Sequence, residues 1–239
     1  MRMAIVSDVH GNSTAFEAVL ADLRLPAPDL IFHGGDLADG GANPAVIVDR
    51  IRDLGWPGVV GNADEMLFDP QSLDDFANSL PPMPGLFKAI RDIAAFSREV
   101  LGEERLSWLS RLPSAQFHET LSLVHAGPAS TWRAPGHGAD DQELKSIYGS
   151  LGRPLAVYGH VHHPYIRRLE GLTVANTGSV SLSYDGDRRA SYLLIDDSVP
   201  AIRRVEYDIE RELKALSASG IPHADWIARM LESAAPQMP

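Results

Sequence analysis

Residues 2–7 form a short apolar run that gives way to the polar turn Asp8-Val9-His10-Gly11-Asn12. Beyond it Phe16, Val19, Leu20 and Leu23 recur at i, i+3, i+4 and i+7, the spacing of one helix face, and Thr14 with Glu17 fits a capping box. The pattern predicts strand, loop, helix. Residues 29–33 repeat the theme as a second strand entering Gly34-Gly35-Asp36, followed by a helix over residues 44–54. Residues 56–60 read as a third strand ending at Gly61-Asn62. Strands alternating with helices imply parallel pairing, with ligands at the carboxyl ends of the strands.

The pattern changes at residue 66. Pro70, Pro81, Pro82 and Pro84 interrupt a stretch without clear period, and helical segments then run to about residue 112. Residues 66–112 are therefore expected to form a helical cap or lid inserted into one domain spanning residues 1–239. From Gln116 onward strands dominate, at residues 121–124, 155–158, 165–169, 172–175, 192–195 and 201–207, with a helix over 140–150. Two amphipathic patterns close the chain, at residues 209–218 and 224–234; the second presents Trp226, Ile227, Met230 and Leu231 and is expected to cover a sheet face.

Composition narrows the class. With 44% hydrophobic and 22% charged residues the chain has the means to bury a core. No run approaches the length of a membrane span, and the start of the chain lacks the apolar core of a signal peptide, so the cytoplasm is the default expectation. The absence of cysteine removes disulfides, thiolate nucleophiles and Cys-type zinc sites, leaving oxygen and imidazole as the available metal donors. A net charge of -11 argues against non-specific binding of duplex nucleic acid.

The polar residues that remain cluster where strands are predicted to end. Asp8 and His10 are two apart, and on extended chain their side chains would share one side. His160 and His162, in Tyr158-Gly159-His160-Val161-His162, repeat that spacing. Asp36, Asn62 and His125 each follow an apolar run. Seven such donors exceed what one tetrahedral ion needs and suit two ions that share a carboxylate.

In order, Asp8-Val9-His10, Gly35-Asp36-Leu37-Ala38-Asp39-Gly40, Gly61-Asn62-Ala63-Asp64, His125 and Gly159-His160-Val161-His162 resemble the calcineurin-like metallophosphoesterases. Asn176-Thr177-Gly178-Ser179 resembles a segment of the small bacterial and archaeal phosphodiesterase branch. The resemblance implies a four-layer αββα sandwich of two mixed sheets. It also implies that Asp8, His10, Asp36 and His162 hold one metal and Asp36, Asn62, His125 and His160 the second, with Asp36 as the bridge. His125, Asn62 and His160 are then the catalytic group, beside a hydroxide that bridges two divalent ions and attacks phosphorus. Manganese is the nominal metal, with iron, cobalt, nickel and zinc equally compatible with sulfur-free donors.

One departure bears on the substrate. The family's protein phosphatases carry histidine after the Gly-Asn pair, where this chain has Ala63, which has no side-chain proton to give. Loss of a general acid typically costs a factor of about 10²–10⁴ with a poor leaving group. A phosphodiester is therefore preferred. A phosphomonoesterase or dinucleoside-polyphosphate hydrolase of the same superfamily is the alternative, and a non-catalytic partner-binding scaffold the second. The expected partner is a small phosphate ester, nucleotide-like ones included.

Other polar residues have plainer readings beside the functional one. Asn12, Asp39 and Asp64 are expected to contact substrate or orient ligands, or else to act as caps and turn formers. His137, in a loop, is the candidate replacement for the missing proton donor. His33 ends a strand, and His163 is expected to point away from the site.

Overall fold

Alternation along short strands sorts their side chains between two interfaces, and this sets the architecture seen in a computed structural model of all 239 residues. In chain order the first elements are β1 (Arg2–Val6), α1 (Ser13–Leu23), β2 (Leu30–His33), α2 (Pro44–Leu54), α3 (Asn62–Phe68), α4 (Pro70–Asn78) and α5 (Pro84–Leu109). There follow β3 (Ala115–His118), β4 (Leu121–Val124), α6 (Asp141–Tyr148), β5 (Leu155–Tyr158), β6 (Tyr165–Leu169) and β7 (Leu172–Asn176). The chain ends with β8 (Ala190–Asp196), β9 (Val199–Val205), α7 (Ile209–Ala218) and α8 (Ala224–Ser233).

Two mixed sheets result, one ordered β2-β1-β8-β9 and the other β3-β4-β5-β7-β6. In the first, β1 runs parallel to β2 with Met3 opposite Leu30, and antiparallel to β8 with Ile5 opposite Leu193. In the second, β4 and β5 are parallel, as are β5 and β7. Met3, Ile5, Leu193 and Ile195 face Leu121, Leu123, Leu155 and Val157 in a core between the sheets. The alternate residues face outward: Ala4, Val6 and Tyr192 pack with Phe16, Val19, Ile47 and Ile51 of α1 and α2, while Ala156, Tyr158 and Val174 pack with Leu144 and Tyr148 of α6. This is the four-layer αββα sandwich of two mixed sheets that the family resemblance implied. The last strands of the chain, β8 and β9, return to complete the first sheet. No helix is long and apolar enough to cross a membrane.

Several local expectations change. The cap of α1 is Asn12, whose side chain accepts from Ala15 N at 2.8 Å, and not a Thr14–Glu17 box; Thr14 and Glu17 lie within the helix, because the helix starts before Thr14. Residues 56–60 are not a ladder-forming strand. Pro57 and Gly58 shorten the pairing to a single bridge with His33. The strand β3 was not anticipated; it is an edge strand whose Phe117 is exposed, so it lacks an apolar run. Within the proline-interrupted stretch, Pro70 and Pro84 open helices at their first positions instead of breaking them, because that position has no intrahelical partner for its N–H. The α5 backbone bends at Gly102 (φ 66°).

His33 is fully buried beneath the loops of the first sheet, and both of its ring nitrogens lack partners. Its ring packs against Gly58, where an added Cβ would approach to 2.3 Å, and lies 6.1 Å from the Trp108 ring. Burial depresses its pKa to about 3. The unfolded chain binds this proton below about pH 6.5 while the folded chain refuses it, so stability is lost as pH falls from 6.5 towards 3. His33→Phe removes that term. Denaturant unfolding at pH 7 and pH 5 should show the variant gaining about 2 kcal/mol on the wild type over this interval; equal acid sensitivity of the two proteins would refute it.

Candidate metal centre

The ligand-type side chains lie on loops leaving the carboxyl ends of strands: Asp8 and His10 after β1, Asp36 after β2, His125 after β4, His160 and His162 after β5. Asn62 opens α3. Face-to-face packing of the two sheets brings these ends together. The i, i+2 spacing works differently from the expected extended geometry. Asp8 (φ 56°), His10 (φ 47°), Asp36 (φ 52°), His160 (φ 65°) and His162 (φ 54°) all occupy the left-handed region, which non-glycine residues seldom adopt. Tight turns, and not strand pleat, set the shared direction of these side chains.

Donor atoms of Asp8, His10, Asp36 and His162 all lie within 4.8 Å of one another, and so do those of Asp36, His125 and His160. Asn62 Oδ1 completes the second group, 2.7 Å from His160 Nδ1 and 3.0 Å from His125 Nε2. Asp36 belongs to both groups. Across them His162 Nε2 is 3.0 Å from Asp8 Oδ1, and His125 Nε2 is 3.3 Å from Asp36 Oδ2. Donors placed about 2.1 Å from one ion stand about 3.4 Å apart in a tetrahedral arrangement, so these separations suit a shared cation.

Hydrogen bonds behind the rings fix which nitrogen faces inward. The Nδ1–H of His10 donates to Asp39 O (2.7 Å), that of His125 to Gly34 O (2.8 Å) and that of His162 to Leu182 O (2.7 Å). A carbonyl only accepts, so each Nδ1 carries the proton and each Nε2 is free to ligate. His160 presents Nδ1 instead. His10 Nε2 and His162 Nε2 then face each other at 3.3 Å. Two lone pairs at that distance repel unless a proton or a cation lies between them. The donor set fits a metal on that ground as well as on its chemistry.

Electrostatics agree. Burial pushes the Asp8 carboxyl up, but the His162 ring outweighs it and holds the group below its ordinary value. The same contest ends the same way for Asp36, chiefly through His125. Burial alone would lower the His125 pKa, yet Asp36 pushes it up to about 10, while burial and the charge on His125 lower His160 to about 4. Burial and neighbouring carboxylates raise Asp39 and Asp64 to about 7. Without a cation, a proton on His125 Nε2 is the counter-charge of the buried Asp36 carboxylate; a metal ion would displace that proton and free Nε2 to ligate.

Residues around the cluster hold the loops. Asp64 accepts from Leu37 N (2.9 Å) and Gly61 N (3.2 Å), gripping the chain on both sides of the centre. Gly61 leaves no room for a side chain, since a Cβ there would lie 2.0 Å from Asp36 Oδ1. The Asp39 carbonyl orients His10, while its carboxyl Oδ1 is buried without a partner. Asn12 caps α1 and donates to Ser181 Oγ (3.1 Å), which is structural work. His137 stays outside both donor groups, exposed and stacked on His163 at 4.0 Å, so the geometry does not support it as a proton donor.

Sequence reasoning gave no role to Asn176 and Ser179, although both fall in a quoted motif. Asn176 donates to Gly159 O and accepts from Gly178 N; Ser179 Oγ donates to Asp8 O at 2.8 Å. Together they tie the turn after β7 to both ligand loops.

This fold and this buried donor cluster are those of a metal-dependent phosphoesterase. The chain belongs to the calcineurin-like phosphoesterase superfamily, whose domain profile matches residues 1–198. An uncharacterized protein of Methanocaldococcus jannaschii is 30% identical over 96% of this chain and 96% of its own length. A symmetrical bis(5'-nucleosyl)-tetraphosphatase of Pectobacterium atrosepticum is 29% identical over 72% of this chain, and the match spans 60% of that enzyme. Among solved structures, a metallophosphoesterase from Sphaerobacter thermophilus superposes with a TM-score of 0.80 at 25% identity, over 98% of this chain and all of the other.

Because Asp36 belongs to both donor groups and His10 to one, Asp36→Asn should deplete bound metal more than His10→Ala does. Elemental analysis after loading and gel filtration checks this; equal loss in the two folded variants would contradict the shared role of Asp36.

Proposed function

We propose that the chain hydrolyses a phosphodiester or phosphoanhydride bond in a small, nucleotide-like substrate. In this reading Asp8, His10, Asp36 and His162 hold one divalent cation and Asp36, Asn62, His125 and His160 hold a second, with manganese the first metal to load. Two such ions supply Lewis acidity towards phosphate oxygens and a water acidic enough to react near neutral pH. The chain's own part is to fix the rings through backbone carbonyls, to exclude bulk water by burial, and to position the ester against His125, His160 and Asn62.

Position 63 carries the choice of bond. Ala63 lines the same cavity as His10, Asp36, Asn62, His160 and His162, and its backbone N–H donates to Asp36 Oδ1 at 2.8 Å, but its methyl group offers no proton to a leaving oxygen. The leaving group must then be stable as an anion. A phosphate chain or an aryl oxide meets that condition, and a serine alkoxide does not. The tetraphosphatase relative acts, by its name, on bis(5'-nucleosyl) tetraphosphates, whose cleaved bonds are anhydrides.

A second observation favours a phosphate-bearing leaving group. A polar groove of about 520 Å³ adjoins His125 and is lined by Arg133 and the hydroxyls of Ser72, Ser79, Ser130 and Thr131, with the carboxylates of Glu65 and Asp75 also on its wall. The Arg133 guanidinium donates to Ser79 Oγ (2.6 Å) and lies over the Phe76 ring (5.6 Å), so neither partner neutralises it. Arg133 is the group in this groove that can pair with a second phosphate, against the two carboxylates that share the wall.

Manganese-loaded protein should cleave bis(p-nitrophenyl) phosphate and dinucleoside tetraphosphate in preference to p-nitrophenyl phosphate, and exclusive monoesterase activity would overturn the reading. Ala63→His should raise monoester turnover, by up to about 10² if the new ring reaches the leaving oxygen. Arg133→Ala should raise KM for the tetraphosphate about tenfold while changing the aryl diester little; equal effects on both would remove Arg133 from the leaving-group side.

A further inference from the structure

The cavity that opens from the donor cluster has a second wall of a different kind. It encloses about 240 Å³, with His10, Asp36, Asn62, His160 and His162 on one side. The opposite side is apolar: Ile90 and Ile93 from α5, Leu182 and Tyr184 from the loop after β7, and Trp226 and Met230 from α8. Neutralising and orienting a phosphate needs charge and hydrogen-bond donors, and these side chains supply neither, apart from Trp226, whose indole N–H is taken by Gln237 O (2.8 Å), and Tyr184 through its hydroxyl. That hydroxyl is already directed at Met230 Sδ (3.6 Å), while the Tyr184 ring stacks on His162 at 4.8 Å and 25°.

Placing apolar carbon beside buried charge weakens hydration of that charge and calls for an offset. The wall is also rigid, since Ile93, Leu182, Trp226 and Met230 belong to one packed cluster with Leu216, Ile221 and Leu231. Met66 and Met230 both line the chamber, and thioethers make favourable contacts with aromatic ring edges. Moreover, α8 lies beyond residues 1–198, the part matched by the superfamily profile. The apolar wall is thus built in part by a segment outside the stretch that the profile matches.

We propose that this chamber is the binding site for a flat aromatic group, an aryl ring or a nucleobase, carried on the non-leaving side of the reacting phosphate, and that Ile93, Trp226 and Met230 determine this selectivity. The proposal rests on the phosphoesterase reading above. It places the two arms of the substrate in different surroundings, with the ring against α5 and α8 and the leaving phosphate in the groove with Arg133. Trp132 lines both spaces and separates them.

The test compares esters that share one leaving group. Manganese-loaded, full-length protein is assayed with methyl, phenyl and thymidine-5' p-nitrophenyl phosphates, and the ratios of kcat/KM for phenyl or thymidine over methyl are compared between wild type, Met230→Gln and Ile93→Thr. Comparing ratios between proteins cancels the intrinsic reactivity of the esters. Each folded variant should lower at least one ratio by about tenfold, the scale of a lost apolar contact in a specificity pocket. Which ratio falls distinguishes an aryl from a nucleobase occupant. Ratios unchanged in both variants would overturn the proposal. Calorimetric binding of phenylphosphonate against methylphosphonate gives an independent readout: a ring preference without hydrolysis would sink the enzyme reading and leave the chamber standing, whereas hydrolysis without ring preference would sink the chamber. Circular dichroism establishes that each variant is folded, and Trp226→Leu replaces either one that is not.

Discussion

Two carboxylates, Asp8 and Asp36, are buried where the carboxyl ends of strands from the two sheets meet, and the surrounding structure is arranged to make that burial tolerable. Neither is more than 3% exposed. A buried, ionised carboxylate is costly unless it is paired and hydrogen-bonded. His162 lies against Asp8, and His125 against Asp36. Backbone donors supply further bonds, from His160 N to Asp8 and from Ala63 N to Asp36. Those partners come from α3 and the loops after β5 and β4, so the demands of two side chains fix the relative placement of both sheets and α3.

The same requirement explains the strained backbone. Five of the seven donor residues occupy the left-handed region, an arrangement that costs of order 1–3 kcal/mol at each non-glycine position. Such conformations persist only where the surroundings over-determine them. Here the two ligand loops of the first sheet are laced together by Asp8 N to Gly35 O, His10 N to Asp36 O and Gly11 N to Leu37 O. From the other side Ser179 Oγ, Val180 N and Ser181 N bond the carbonyls of Ser7 and Asp8. Glycines at 35, 41, 61 and 159 let these strands of loop approach so closely that a Cβ at any of them would overlap a neighbour at 2.5 Å or less. The donors are preorganised by a hydrogen-bonded lattice of backbone, which is what a site must have if it is to hold its geometry before metal and substrate arrive.

What could be read from sequence follows the same division. Strand alternation, the helical face of Phe16, Val19 and Leu23, and the run of Asp, His and Asn at strand ends are periodic or positional signals, and they survive in the fold. The geometry that joins those residues is not periodic. Nothing in the spacing of Asp8 and His10 distinguishes an extended pair from two left-handed turns, because both put alternate side chains on one side. Asn176 and Ser179 act through carbonyls of residues far away in sequence, a contact with no local signature. Pro70 and Pro84 were ambiguous for a related reason: proline stops a helix from within and starts one from its first position, and only the register decides which.

The amphipathic pattern of α8 shows most clearly where a sequence reading ends and a structural one begins. Trp226, Ile227, Met230 and Leu231 mark a face that must be buried, and covering a sheet is the simplest way to bury it. In the structure that face instead packs with α5 and α7 and turns Trp226, Ile227 and Met230 towards the chamber beside the donors. Periodicity specifies that a face is hidden but not whether protein or ligand hides it. The donor cluster is assembled from loops that the superfamily profile covers, whereas part of the surface opposite it comes from a helix that lies outside the profile. Helices α5 and α8 therefore supply part of the wall opposite the donors and none of the donors themselves, which are locked by their own backbone lattice.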